Sequence, residues 1–472
     1  MTGPLKKTTF VEDDDILIKM SDNHIRVAVV GNVDAGKSTL IGTLTSNTLD
    51  NGRGLGRTHV LKHPHEKETG RTSDITTHLM GFDEQGDIVV APNGNNTKHV
   101  DSYIAKKSTK LVTLMDLAGH EKYLKTTVEG ISRGMVDYAI VVVNSMQPPT
   151  HMTKHHLNLC VTFGIPVIVV MTKIDRCTCT DDHTITYKIK ETKAEIAHML
   201  RSTEIGNLRL YQIHNETDVG FIKDKIGGSS SKQVPLVALS CVTGVGLNLL
   251  HKLLLELPQR WKHKSKISKP FEMFIEDVFT VSGVGMVISG FVNRGEWYKG
   301  EAIYIGPLKN GNTNLKVVPK SCHVAQTDVN HVWAGHSVCF AIPSMKAKDR
   351  RLFRKKGMVA LKEPIKTVTT FHAEIYLLNG VNVTVTKDSY VSMLHILHMK
   401  EPARVIDIFQ AGGNNSDENV TTLRPGQGAK VTFELTRRPA YIHDGMKLIM
   451  RDGHVRGIGL VISVGTPTSG NS

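Results

Sequence analysis

The sequence is poor in cysteine, in aromatic residues, in acidic relative to basic residues, and in long apolar runs. Each shortage excludes a class of protein. Six cysteines in 472 residues cannot staple a chain of this length, so a disulfide framework is excluded. Phe, Trp and Tyr together make up 6%, too few for a broad platform on which nucleic-acid bases stack. The longest apolar runs, residues 139–143 and 166–171, fall far short of the roughly 20 residues that a bilayer-spanning helix needs. The first residues carry Glu12, Asp13, Asp14 and Asp15 rather than a basic-then-apolar leader. The expectation is a soluble, cytoplasmic, monomeric protein with no membrane partner.

What is present reads as ordinary globular protein, with 40% hydrophobic and 22% charged residues. The length leaves room for roughly three domains. Lys and Arg number 58 against 45 Asp and Glu, a net charge of +13, which points to an acidic partner, nucleic acid first. From residue 268 onward there are 25 basic and 17 acidic residues, so the surplus is denser in that half. Its densest run is Lys346, Lys348, Arg350, Arg351, Arg354, Lys355 and Lys356, with Asp349 as the one acid among them. Such a run either contacts RNA phosphates through counterion release or is a solvated edge loop. Cys177, Cys179 and His183 lie close in sequence, but two further ligands at metal-site spacing are lacking. They read as a loop in a reducing compartment.

The first half alternates strand-like and helix-like segments. Short apolar runs at 25–30, 111–117, 138–143, 166–171 and 234–239 are separated by helical stretches at 39–45, 154–163, 187–200 and 248–257. That alternation predicts a mostly parallel, doubly wound α/β sheet covered on both faces. After Pro258 the pattern changes. Residues 259–270 form a basic linker, and β-like segments follow at 271–279, 286–292, 369–378, 390–397, 429–435 and 455–464, separated by turns. They predict two antiparallel β-barrel domains. The expected organisation is a tail over 1–20, an α/β domain over 21–258, the linker, β-barrels over 271–363 and 364–466, and a tail over 467–472. A polar insertion at 84–108 reads as a solvated loop.

Four motifs carry chemistry. Gly31-Asn32-Val33-Asp34-Ala35-Gly36-Lys37-Ser38 fits the phosphate loop G-x-x-x-x-G-K-[ST] and sits between an apolar strand and a helix. Its glycines let backbone N–H groups close on a phosphate. Lys37 can reach β- and γ-phosphates, and Ser38 can ligate Mg²⁺. Asp116-Leu117-Ala118-Gly119 follows the next strand. Asp116 can hold Mg²⁺ through water, and the Gly119 N–H can meet a γ-phosphate. Thr172-Lys173-Ile174-Asp175 offers a carboxylate to guanine N1–H and N2–H₂, groups that adenine lacks, and the Lys173 stem to cover the base. Backbone N–H groups of Ser240-Cys241-Val242 can contact guanine O6. Each motif ends a predicted strand, the edge at which open α/β sheets bind ligands.

With these four motifs in order, the chain resembles the translational GTPase family, of which elongation factor Tu is the best-known member. The resemblance covers nearly the whole length. The phrases LDNGRGLG (49–56), ETGRTS (68–73) and DLAGHEKYLKTT (116–127) are most similar to the GTP-binding protein one and two group, eukaryotic relatives of elongation factor one alpha. The resemblance implies an α/β P-loop GTPase domain followed by two antiparallel β-barrels, GTP or GDP and Mg²⁺ as ligands, and hydrolysis of GTP. It assigns Gly31, Asn32, Val33, Asp34, Ala35, Gly36, Lys37, Ser38 and Thr39 to the phosphate loop, with Asp34 also helping to hold a monovalent cation. Thr72, or else Ser73, takes the switch-one hydroxyl that binds Mg²⁺. His120 takes the place of the histidine that orients the attacking water.

Two positions depart from the family pattern. Thr172 replaces the usual Asn, which puts a link between base loop and phosphate loop in doubt. Arg71 replaces an apolar residue that shields the catalytic histidine. The resemblance also places Glu276, Asp277 and Phe279 where elongation factors meet the aminoacyl end of tRNA; Phe279 is either such a contact or barrel core. The partners implied are the ribosome with tRNA or mRNA, and RNA-decay machinery. The competing expectation is a nucleotide-regulated protein adaptor with little hydrolysis.

Overall fold

The computed structural model describes residues 17–58, 60, 76–92, 100–117, 135–178, 182–201, 208–226, 232–309, 314–343, 351–353, 356–378, 383–397, 399–411, 417–452 and 454–465. The chain divides into two compact units, Met1–Lys262 and His263–Ser472.

The first unit is built on seven strands: β1 (His24–Gly31), β2 (Thr76–Phe82), β3 (Lys110–Asp116), β4 (Tyr138–Asn144), β5 (Val167–Thr172), β6 (Arg209–Gln212) and β7 (Gln233–Ala238). Their order in the sheet is β2-β3-β1-β4-β5-β7-β6. All neighbours run parallel except the edge pair β2 and β3. Every residue of β1 and β5 is buried, which is why β5 reads as a continuous apolar run and β1, apart from His24 and Arg26, as a mostly apolar one rather than an alternating one. Helices α1 (Lys37–Ser46), α2 (Leu55–Thr58), α3 (Val100–Lys107), α4 (His151–Thr162), α5 (Asp182–Arg201), α6 (Glu216–Lys223) and α7 (Leu247–Glu256) accompany the sheet. Leu247, Leu250, Leu253 and Leu254 form the buried stripe of α7 at helical spacing. A reciprocal Asn215–Asp218 capping box starts α6 by satisfying two N–H groups that the helix itself cannot. Among the described residues no helix is long and apolar enough to cross a membrane.

Two strands and three helices depart from the sequence expectations, α2 and α6 having no counterpart among the helical stretches read from the sequence. β2 and β6 were not expected. They are the two edges of the sheet, where half-exposed residues break the apolar run that marks the central strands. Residues 84–108 are not a loop throughout, because α3 buries Ile104 and Ala105. Two apolar residues in a polar stretch are too weak a signal for periodicity to register. The 259–262 stretch, expected as linker, is fastened to the first unit. The Arg260 N–H donates to Asp137 Oδ1 at 2.9 Å and the Trp261 Nε1–H to the Val136 carbonyl at 3.4 Å.

The second unit is antiparallel β. Strands Glu272–Val281 and Gly285–Arg294 form the central hairpin of an eight-stranded sheet. A six-stranded barrel follows. Its strands run in the order Val391–Ile396, Lys447–Asp452, His454–Val464, Thr370–Leu377, Gly428–Leu435 and Met399–Ala411, and the last pairs back onto the first. Closure removes the free edges that invite aggregation. Phe274 and Val359 of the eight-stranded sheet join Phe371, Phe433 and Leu394 of the barrel in one apolar core.

A buried carboxylate ties the same two parts together. Glu272 is 0% exposed. It accepts hydrogen bonds from Asn293 Nδ2 at 2.6 Å, Arg294 Nη2 at 2.6 Å and Tyr441 Oη at 2.7 Å, and His443 Nε2 lies 3.2 Å from its Oε2. His443 Nδ1 is 2.8 Å from the Asp444 carbonyl and must donate to it. A neutral ring would therefore aim a lone pair at the Glu272 carboxylate, which favours the imidazolium. Burial alone would raise the Glu272 carboxyl, but His443 and the Arg294 charge bring it down to about 2. Burial alone would lower His443, but Glu272 raises it above 6.5.

The signs set a pH window. The contribution of Glu272 is complete above its ordinary value of 4.5 and is lost as pH falls toward 2. That of His443 is complete below 6.5 and is lost as pH rises through its elevated folded value. Removing the Glu272 carboxylate strands partly buried cations and is expected to cost about 3 kcal/mol, read by urea unfolding. Replacing His443 by Gln is expected to lower the thermal midpoint more near pH 6 than at alkaline pH, where the imidazolium is lost. Equal losses at both pH values would contradict the pairing.

Candidate functional site

The site lies at the carboxyl edge of the parallel sheet. The phosphate loop leaves β1 at Gly31, whose φ is 150°. A Cβ there would stand 2.4 Å from the Val142 carbonyl oxygen on β4, so only glycine lets the two strands meet this closely. Gly36, at φ 95°, caps α1, and the first turn of that helix faces the loop as an anion-favouring dipole end. Within the loop the Val33 N–H is held by Asn32 Oδ1 at 2.8 Å, and Asn32 Nδ2 is tied to Thr150 Oγ1 at 3.2 Å.

Lys37 is 7% exposed. Its ammonium donates to the carbonyls of Gly31 at 3.1 Å and Asn32 at 2.9 Å. Burial lowers its pKa, against the charges of Asp116 and Asp34. The buried ring of His156 is held neutral, its pKa pushed down to about 3 by burial and then by the Lys37 charge. His156 is thus a packing residue beneath the loop, whereas His151 and His155 on the same helix are exposed. Asp116, 0% exposed, ends β3 in register with Val29, and its Oδ2 accepts from Ser38 Oγ at 2.7 Å. A hydroxyl and a carboxylate meeting at this edge are hard oxygen donors of the kind Mg²⁺ prefers.

On the other side, Thr172 ends β5, and its hydroxyl lies 2.7 Å from the Ala35 carbonyl and 3.3 Å from that of Val143. The link expected to be in doubt at Thr172 is therefore present, made by a hydroxyl donating to the phosphate loop. Lys173, at φ 62°, donates from Nζ to the Asp34 carbonyl at 2.7 Å, a second link between the loops. Ser240 Oγ accepts from the N–H groups of Val242 and Thr243, each at 3.1 Å. Its own hydrogen is thereby directed to Asp175 Oδ1, 2.5 Å away. The Val242 N–H is thus engaged within its own turn.

A cavity of about 300 Å³ lies between the start of α1 and the Thr172–Asp175 and Ser240 turns. Gly36, Thr39, Thr172, Lys173, Asp175, Cys241 and Val242 line it, together with Asp50, Arg53 and Arg57. The last three were not singled out as site residues. Asp50 and Arg53 belong to the phrase LDNGRGLG, which carried only a resemblance, and Arg57 follows directly after it.

Gly119, His120, Arg71, Thr72, Ser73, Cys179, Lys346, Lys348, Asp349, Arg350, Arg354 and Lys355 lie outside the described residues. Arg351 and Lys356 are exposed. Glu276 is half-buried and Asp277 exposed. Phe279 is 39% exposed and is not barrel core, because it lies toward the tip of the central hairpin, opposite Val287.

Comparison with known proteins agrees with this geometry. The family described as the elongation factor Tu GTP binding domain matches residues 22–260. GTP-binding protein 1 of Xenopus laevis is 35% identical over 96% of this chain, and the chain spans 64% of its length. GTP-binding protein 2 of Homo sapiens is 30% identical over 96% of this chain, which spans 72% of it. Among solved structures, translation elongation factor SelB from Methanococcus maripaludis, in complex with the GTP analogue GppNHp, aligns with a TM-score of 0.64. It is 20% identical, over 95% of this chain and 80% of that one. A bacterial selenocysteine-specific elongation factor, EF-Sec, gives a TM-score of 0.62 at 19% identity, over 95% of this chain and 59% of that one. At such identities the structural likeness concerns the fold. The chain belongs to the translational GTPase family, with the elongation factor Tu GTP-binding domain in its first unit and GTP-binding proteins 1 and 2 among its relatives.

Proposed function

We propose that this chain is a GTP-hydrolysing switch that works on the ribosome with RNA as cargo, in the cytoplasm. The observation that carries the reading is the convergence of four strand ends on one edge. Phosphate loop, Ser38–Asp116 pair, Thr172–Asp175 loop and Ser240 turn are cross-linked by short hydrogen bonds. In this reading Asp175 accepts from guanine N1–H and N2–H₂, and the Lys173 stem covers the base. The Cys241 N–H meets O6, since that of Val242 is already engaged.

Lys37 exchanges its loop carbonyls for β- and γ-phosphate oxygens. Ser38, Thr72 and, through water, Asp116 are the residues that would hold Mg²⁺. That ion, when bound, neutralises charge on the transferring phosphoryl group. Asp34 would help to hold a monovalent cation beside the phosphates. His120 orients water for in-line attack, and Gly119 donates its N–H to the γ-phosphate. Loss of that phosphate releases the segment around Thr72 and with it the cargo.

The cargo is read as aminoacyl-tRNA. Asp277 and Phe279 stand exposed on the central hairpin of the second unit, and the elongation-factor character of the structural neighbours supports this choice. The exposed Arg351 and Lys356, with the rest of their basic run, add non-specific attraction to RNA phosphates. Filter binding of charged and uncharged tRNA tests it. Charged tRNA is expected to be retained with a non-hydrolysable GTP analogue and at least about tenfold less with GDP. Equal retention of charged and uncharged tRNA would reject delivery and leave RNA-decay machinery as the partner to test.

A further inference from the structure

The segment that follows α1 carries two arginines into the cavity, and its position is fixed by the protein itself. Asp50 is 7% exposed. Its carboxylate accepts the N–H groups of Gly52 at 2.9 Å, Gly54 at 3.4 Å and Gly56 at 2.8 Å, and its own N–H donates to the Cys241 carbonyl at 2.8 Å. On the other side α2 lies directly on α1. A Cβ added at Gly42 would stand 1.9 Å from the Gly56 carbonyl oxygen, so the close approach requires glycine there. The segment is thus clamped between the base loop and the helix of the phosphate loop. Arg53 and Arg57 project from it and line the cavity with Thr39, Lys173 and Asp175. Among the described residues, neither guanidinium has a hydrogen bond or an ion pair.

We propose that Arg53 and Arg57 form a cationic wall that grips the ribose and α-phosphate of the nucleotide, the part common to GTP and GDP. This rests on the reading that the cavity takes a guanine nucleotide. The cavity they line runs from Gly36 and Thr39 to the base loop and does not include Ser38 or Asp116, the pair that marks the γ-phosphate and Mg²⁺ side. The arginines therefore face the half of the nucleotide that hydrolysis leaves unchanged. A guanidinium is permanently charged, and its planar fork matches phosphate and hydroxyl oxygens. Because the Asp50 clamp already fixes the backbone, little ordering cost remains to be met on binding. Residues 50–58 are assigned to binding in both nucleotide states, and they would slow the release of GDP.

The test measures equilibrium affinity and dissociation rate of fluorescent GDP and of GppNHp for the full chain, its R53A/R57A variant and an R53K/R57K variant. Loss of charge-assisted hydrogen bonds is expected to weaken both nucleotides by a similar factor, about tenfold or more. It is also expected to speed GDP release by about as much, with partial recovery in the lysine variant. The single variants Arg53→Gln and Arg57→Gln read the same effect if the double variant is unstable. Unchanged GDP affinity, or a loss confined to GppNHp, overturns the assignment while leaving guanine binding intact. Failure of the unaltered chain to bind either nucleotide overturns both readings together.

Discussion

Replacing Asp175 by Asn is expected to turn the site from guanine to xanthine nucleotides. The carboxylate accepts from two guanine N–H groups in the proposed reading. Hydrogen bonds to a charged acceptor contribute about 1.5–3 kcal/mol each, so losing both weakens GTP by about 10²–10⁴-fold. The structure also dictates how the new amide would sit. Ser240 Oγ takes two backbone N–H groups, and its own hydrogen goes to Oδ1. The oxygen of the amide therefore stays on Ser240 and its NH₂ faces the base. There it opposes the guanine donors and meets the O2 carbonyl of xanthine. Competition of XTP and GTP for the variant measures the exchange. A variant that keeps its preference for GTP would reject Asp175 as the base-reading residue.

The second large effect is on hydrolysis. His120→Ala is expected to leave GTP affinity within about twofold and to cut ribosome-stimulated turnover by about 10²–10⁴-fold, the usual contribution of a residue that positions or activates the attacking group. The separation of binding from chemistry is the informative part. In the proposed reading the nucleotide is held chiefly by Lys37, Ser38, Lys173 and Asp175, whereas His120, directly after the Asp116–Gly119 motif, acts only on the attacking water. Single-turnover phosphate release with ribosomes present is the measurement. Equal rates for the two proteins would remove His120 from the mechanism. The basal rate without ribosomes, recorded in the same series, reads the effect of Arg71, which the family resemblance sets where an apolar residue shields the histidine.

Much of this was readable from residues alone because the site is built where strong local signals coincide. Gly31 to Ser38 combines an apolar strand, a turn that needs glycine and a helix start. Asp116 and Thr172 end, and Ser240 follows, interior strands that are largely buried and therefore mostly apolar in sequence. The signal failed at the edges. β2 and β6 keep exposed or half-exposed residues, so neither the continuous nor the alternating pattern reaches them. In the second unit the strand Met399–Ala411 was not singled out, because Glu401, Pro402 and Arg404 mask its alternation. It nevertheless pairs on both sides and helps to close the barrel.

Long-range chemistry was illegible for a different reason. Nothing in the local sequence says that Glu272 will meet Tyr441 and His443, residues separated by about 170 positions. Asp50 likewise reads as one acid in a glycine-rich stretch. Its role depends on a backbone that folds around its carboxylate and on Cys241, which lies in the turn after β7, about 190 positions further along the chain. Thr172 shows the converse. Read by type it breaks a pattern, yet its hydroxyl still links the base loop to the phosphate loop by donating to the Ala35 carbonyl.

The central claim is that the edge between β1, β3, β5 and β7 is a guanine-nucleotide site. The unaltered arm of the nucleotide titration tests it most directly, with GTP, GDP, XTP and ATP added to the same preparation. Tight, Mg²⁺-strengthened binding of GTP and GDP, at least about 10²-fold tighter than ATP or XTP, is the result predicted. Equal affinity for ATP and GTP, or binding of neither, would contradict it.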